Sequence, residues 1–191
     1  MFFQSLAIVA AIVTASAWLS SITSLDTSRV LAGEVWRIFS GHLSHLTWEQ
    51  FAVDAPVFVM VYLTYERKAG PLTSIRLCLF SACCVSAAVI VAGRHEIYGG
   101  LSGLSCAALS ALLFGGVLAR PRQVALYALG SLYCVYLTHP GVSTVVVNVA
   151  GEAHVAGALS GVLFVVIQEG VRKFRKVPTI PRVDVSPLQQ A

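Results

Sequence analysis

Residues 101–119 read LSGLSCAALSALLFGGVLA, an unbroken run without a single charged side chain. Coiled as a helix at 1.5 Å per residue, such a run is about 28 Å long, close to the hydrocarbon thickness of a bilayer. Gly103, Ala107, Ala111 and Gly115 recur in it every four residues. Small side chains at that spacing let helix backbones approach closely inside a membrane, where bulky apolar contacts with lipid give no preference for association. Near its start stands a hydroxyl, Ser102, with glycines on both sides at Gly100 and Gly103. The stretch predicts a membrane helix that packs tightly and carries a polar group near one end.

The rest of the chain agrees with that reading. Of its 191 residues 57% are hydrophobic and only 12% charged, with a mean hydropathy of +0.78. A soluble domain of this length carries about 25% charged residues. Six segments approach spanning length, roughly 4–23, 50–66, 72–92, 101–119, 123–138 and 151–169. The first has no basic residues ahead of it, so it is expected to be a retained span and not a cleaved signal. Residues 24–49 are amphipathic and predict an interfacial loop with a short helix. The expected fold is therefore an all-α bundle of six transmembrane helices with an interfacial loop between the first two. Residues 1–170 form this membrane domain, and 171–191 a basic, proline-containing tail expected to be disordered and cytoplasmic. Ten of the thirteen basic residues fall on the side of the termini, which the positive-inside rule places in the cytoplasm. The remaining three, Arg29, Arg37 and Arg94, fall on the opposite side. Basic residues at helix ends give no surface for nucleic acid. Cys78, Cys83, Cys84, Cys106 and Cys134 lie within apolar runs without ligand spacing, so neither disulfides nor a metal or cofactor site is expected.

Polar groups inside spans are costly and mark functional sites. Three stand out: Asp54 in the second expected span, Ser102 in the fourth and His154 in the sixth. In a six-span chain these spans all run inward from the outer face, so the three residues fall at similar depth and converge. Ser102 follows Tyr98-Gly99-Gly100-Leu101, where glycine backbone and a helix N-terminus expose N–H groups suited to a developing oxyanion. His154 is flanked by a second small-residue stripe, Ala153, Gly157 and Gly161. Taken singly, the glycines serve helix packing and the histidine a structural bond. Together they place a serine and a histidine within hydrogen-bond reach, as a nucleophile and its base require.

These residues resemble the rhomboid family of intramembrane serine proteases. Gly100-Leu101-Ser102-Gly103 is similar to the rhomboid nucleophile motif, and Ala153-His154-Val155-Ala156-Gly157 through Gly161 to its Ala-His-x-x-Gly-x-x-x-Gly helix. Trp36-Arg37 resembles the Trp-Arg pair of the first rhomboid loop. His45 and Asp54 resemble its His-x(8)-Asn pattern, and Glu66-Arg67 the end of the second span. The matches run in order from residue 36 to 161. Gly41-His42-Leu43-Ser44-His45-Leu46-Thr47-Trp48 looks most like the rhombosortase branch, whose members process proteins bearing a C-terminal sorting anchor.

The resemblance implies catalysis by Ser102 and His154 near the outer membrane face. It implies single-span membrane proteins with a C-terminal anchor as partners, and a bacterial inner membrane as location. Oxyanion or supporting roles fall to Gln50, Asp54, His45, Gly100 and Gly103. Two positions depart from the family pattern. The usual span-two Asn is Asp54, and the second donor His is matched by Gln50, whose amide can still donate. A neutral Asp54 could donate to the oxyanion; a charged one could instead accept from His154, or the residue could only fix packing. The ring that often stacks on the catalytic histidine is also absent, since Cys106 lies one turn below Ser102. His42, His95 and His139 read as solvated or interfacial loop residues, and Trp36-Arg37 and Glu66-Arg67 as scaffold. An inactive rhomboid-like binder of membrane clients is the alternative on the same fold. A small transporter is the other rival.

Overall fold

The computed structural model describes residues 2–94, 96–115 and 151–175, with side chains described as far as Val171. Helix α1 (Phe2–Ala15) is followed after Ser16 by α2 (Ala17–Thr23), bent from it by 114°. Ser16 causes the break locally. It takes an extended backbone and its side chain accepts from the Leu19 N–H, capping a new helix. The expected straight span over 4–23 is therefore corrected to a broken pair.

The expected interfacial stretch holds more structure than one short helix. Strand β1 (Leu25–Asp26) leads into α3 (Thr27–Leu31), capped by the Asp26 side chain at the Arg29 N–H. Then come α4 (Arg37–Ser40) and a 3₁₀ turn, Gly41–Leu43. Helix α5 (Trp48–Ala69) starts at Thr47, whose hydroxyl accepts from Gln50 N–H at 3.2 Å. It ends at Gly70, where φ of +85° admits glycine at little cost. Pro71 then opens α6 (Pro71–Ala92), since a first-turn position needs no N–H. Strand β2 (Ile97–Tyr98) precedes α7 (Ser102–Phe114), and α8 covers Gly151–Arg175. The expected fifth span at 123–138, the end of the fourth, His95, His139 and residues 176–191 lie outside the described residues. Helix α8 runs five residues past the expected domain boundary at 170.

Among the described residues two helices, Pro71–Ala92 and Gly151–Val171, are long and apolar enough to cross a membrane, or three if α1 and α2 form one broken span. The faces of α8 say what surrounds it. Val155, Leu159 and Leu163, one turn apart, are largely exposed, whereas Ala153 is fully buried and Gly157 and Gly161 lie against α7. A water-soluble helix has the opposite arrangement, bulk inside and polar groups outside. Here lipid covers the bulk and the small face meets protein.

Between α7 and α8 contact is backbone to backbone. A Cβ added at Gly157 would run into the Gly103 carbonyl, and one at Gly161 into the Ala107 carbonyl. Ser110 Oγ–H closes the seam, donating to Ala158 O at 2.8 Å. Alanine at Gly157 is therefore expected to lower the thermal midpoint in detergent, with an overpacking cost of about 1–3 kcal/mol. Gly170 on the same helix has nothing near its absent Cβ. Alanine there should leave stability unchanged or raise it by up to about 1 kcal/mol through helix propensity. Equal effects at the two positions would show that the seam is not tightly packed.

The interfacial loop is pinned to this core. Arg37 is 1% exposed, its Nε donating to Glu34 at 2.6 Å and Nη1 to the Ser24 and Ser21 carbonyls at 2.7 and 3.0 Å. Trp36 Nε1–H donates to Ile22 O at 3.3 Å. A buried guanidinium with all these partners fixes α4 against the end of α2, the scaffold role expected of this pair. Antiparallel pairing of β1 with β2, Leu25 opposite Tyr98, ties the same loop to the segment just before Ser102.

Candidate active site

Ser102 is the first residue of α7. Helix N-termini leave their first N–H groups without intrahelical partners; Leu101, at the cap, has no polar side chain to supply one, and the Asp54 carboxyl of α5 faces them instead. The loop reaching it is held by absent side chains. Gly99 lies against the Ser44 backbone and hydroxyl, with no room for a Cβ. Gly100, at φ +137°, packs its Cα against the Gln50 amide and the Asp54 carboxyl. Gly103 faces Val85 and the Ala153 carbonyl. The expected Gly100 and Gly103 thus serve close approach, from α5 on one side and α8 on the other.

His154 lies in the first turn of α8. Its Nε2 is 2.9 Å from Ser102 Oγ. Both side chains are half-buried, open enough to be reached and sheltered enough to hold one geometry. With the ring neutral and its proton on Nδ1, the hydroxyl donates to Nε2. Such a pair has the geometry that a serine nucleophile and a general base require. Among the described residues no aromatic ring stacks on His154, and Cys106 stands in the next turn of α7 from Ser102.

Asp54 is buried on α5 and faces the backbone N–H groups of Leu101 and Ser102 and the Gln50 side chain. The contact is with the nucleophile's backbone. Among the described residues Asp54 stands within ion-pair distance of His45 and not of the His154 ring, whose Nε2 meets Ser102. Asp54 Oδ2 lies 3.6 Å from His45 Nε2, and neither atom has a hydrogen-bond partner. This is not an ion pair between full charges. Burial pushes His45 down to about 4, only partly opposed by its bond to the Leu43 backbone, so the ring is neutral.

The hydroxyl of Thr14 fixes the tautomer of that ring. Thr14 Oγ1–H donates to Ala10 O at 2.7 Å, which uses its only proton. His45 Nδ1, 3.3 Å from Thr14 Oγ1, must therefore donate. Nε2 is left as a bare lone pair aimed at Asp54. A carboxylate there would face a lone pair across a buried gap, whereas a neutral acid would present its proton to it. Neutral Asp54 beside neutral His45 is the pairing that satisfies both.

Gln50 is differently employed from the expectation. Its Nε2–H donates to Gly99 O at 2.8 Å and its Oε1 accepts from Leu46 N–H at 3.1 Å. It braces the glycine loop with one amide N–H, and the second N–H of the same amide is directed to Asp54. His45 stands behind Asp54, edge-on to Phe51, with no side-chain exposure.

One residue was misjudged from sequence. His42 was expected to be solvated or interfacial, yet it is 2% exposed and packs edge-on to Tyr98. A histidine in an amphipathic loop carries no local sign that the loop folds inward. The one clue was its place in the Gly41–Trp48 segment.

A family model described as Rhomboid domain matches residues 32–169, which includes every candidate residue above. No curated protein matches the chain.

Proposed function

The chain belongs to the rhomboid family of intramembrane proteases, and from that premise we propose that it is a serine endopeptidase acting through Ser102 and His154. The observation that carries this reading is the 2.9 Å contact between His154 Nε2 and Ser102 Oγ, at the N-terminus of α7. His154 takes the hydroxyl proton as Ser102 Oγ bonds to a peptide carbonyl carbon. Negative charge then develops on the carbonyl oxygen, toward which the Ser102 N–H and the neutral Asp54 acid would turn from their resting partners, the Asp54 carboxyl and His45 Nε2. His154 returns the proton to the departing amine. Water, activated by the same imidazole, releases the acyl group and regenerates Ser102. No metal or organic cofactor takes part.

The substrate class follows from surroundings and resemblance. A site between membrane helices is reached by a chain already in the bilayer, and a hydrogen-bonded helix hides its peptide carbonyls. The substrate is therefore a single-span protein with small, helix-weakening residues at the cut. The motif around His42 and His45 favours proteins with a C-terminal sorting anchor, as in the rhombosortase branch. The basic residues in the last turn of α5, Arg67 and Lys68, support cytoplasmic termini and an active site opening to the outer, periplasmic side of a bacterial inner membrane.

The test is reaction of the purified, detergent-solubilised protein with a fluorophosphonate probe, followed by mapping of the adduct. An adduct on Ser102 that is lost in Ser102→Ala is the expected result. An unlabelled wild type with an intact thermal transition would remove the protease reading in favour of a non-catalytic binder of membrane clients.

A further inference from the structure

At the opposite pole of the bundle from Ser102, the end of α5, the start of α6 and the far ends of α7 and α8 enclose a cleft of about 790 Å³. Its walls are of two kinds. Ala111 of α7 with Phe164, Ile167 and Val171 of α8 gives an apolar side, and Ile167 and Val171 are left exposed. Lys68, in the last turn of α5, and Arg76 of α6 give a cationic one. Neither cation makes a hydrogen bond or ion pair with a described residue. Glu169 is also in the lining, and it stands at ion-pair distance from neither.

Arg76 is the more telling of the two. It follows Pro71, the first residue of α6, by about 7.5 Å along a helix long and apolar enough to cross a membrane. An ionisable group on a span is costly unless a partner answers it, and a long basic side chain can reach up to headgroup level. The rest of the chain brings little negative charge to that end. Residues 116–150 and 176–191, outside the described part, carry Arg120, Arg122, Lys176 and Arg182 against Asp184 alone. Charge complementarity therefore points to an anion from outside the chain. A free anion would answer the cations and leave Phe164, Ile167 and Val171 bare. A molecule with an anionic head and a hydrocarbon tail matches both walls, and basic pockets between membrane helices take such head groups. We propose that this cleft is a binding site for an anionic phospholipid, its phosphate on Lys68 and Arg76 and an acyl chain against α8. The site goes beyond the protease reading and does not depend on it.

The test is thermal unfolding of the full chain in a maltoside detergent, titrated with phosphatidylglycerol. Phosphatidylcholine with the same acyl chains and inorganic phosphate are run beside it. A ligand held only by the folded state raises the midpoint, by about 5–10 °C at a hundredfold excess over its dissociation constant. Phosphatidylglycerol is expected to do so, and the other two are not. Arg76→Gln and Lys68→Gln should each weaken the apparent affinity about ten- to a hundredfold, the weight of a hydrogen bond to a charged group. Arg67→Gln removes a cation from the same helix end but outside the cleft, and should leave the affinity unchanged. All three side chains are exposed, so the variants keep the fold. An equal response to phosphatidylcholine would reduce the cleft to a hydrocarbon contact, and an equal response to phosphate would make its ligand a free anion. Either result would overturn the proposal. So would binding that survives both Arg76→Gln and Lys68→Gln, or an Arg67→Gln protein as impaired as they are, which is charge without a site. A wild type that ignores phosphatidylglycerol would also end it, as when residues 116–122 fill the cleft.

Discussion

Alanine at His154 should slow fluorophosphonate labelling of Ser102 by about 10²–10⁴-fold while leaving the thermal transition near that of wild type. A general base supplies that range because the hydroxyl is a poor nucleophile until its proton has somewhere to go. The structure offers one acceptor on the hydroxyl, His154 Nε2 at 2.9 Å. Removal of the ring leaves the oxyanion donors in place, so a residual rate above background is expected. The fold should survive, because the packing of α8 on α7 rests on Ala153, Gly157, Gly161 and Ser110 and not on the half-buried ring. Labelling by His154→Ala at the wild-type rate would mean that Ser102 is activated by some other group, or is merely accessible. A His154→Ala protein that no longer melts cooperatively would mean that the ring is structural.

How much of this was legible in the sequence differs from one residue to the next. The small-residue stripes of α7 and α8 announced their own packing, because a four-residue period in a helix is a statement about one face. The convergence of Ser102, His154 and Asp54 followed from counting spans, although only two or three of the described helices meet the length and composition of a span. Helix α5 fails on composition, since it carries Glu49, Asp54, Glu66, Arg67 and Lys68. What sequence could not give was the interior of the 24–49 segment. Its order comes from long-range contacts, Arg37 on two carbonyls of the first broken span and β1 on β2, and no local pattern encodes either. The kink at Ser16 was hidden for a related reason, because hydropathy averages over a cap that only backbone geometry reveals. Gln50 and Asp54 were read as parallel oxyanion candidates because they share a motif. Their roles separate only when the glycine loop is placed, Gln50 beneath Gly99 and Asp54 beneath the Ser102 N–H.

Asn at position 54 is the sharper experiment, because the roles open to Asp54 give results of opposite sign. A neutral acid donates to the oxyanion. Its ionised form cannot donate and holds the Ser102 N–H for itself. Sign then fixes the profile: activity is present while Asp54 is protonated and is lost as pH rises through its ionisation. The groups around it set where this occurs. They are the neutral His45 from the loop, Tyr98 from β2, and the more distant Cys106 of α7 and Glu152 of α8, which share the Tyr98 environment. Asparagine has the same shape, keeps an oxygen for the Leu101 and Ser102 N–H groups, and offers an N–H that no pH in the working range removes. Asp54→Asn should therefore label at about the wild-type rate at low pH and hold that rate at alkaline pH, where wild type declines. The gap between them should grow toward 10²–10³-fold, the contribution of one oxyanion donor. Were Asp54 instead the charged partner of an imidazolium, asparagine would cut the rate at every pH, by up to about 10⁴-fold. A variant slower than wild type throughout would thus return Asp54 to the His154 ring. Profiles that coincide at low pH and part at alkaline pH would make this chain a rhomboid whose oxyanion site is switched by one proton.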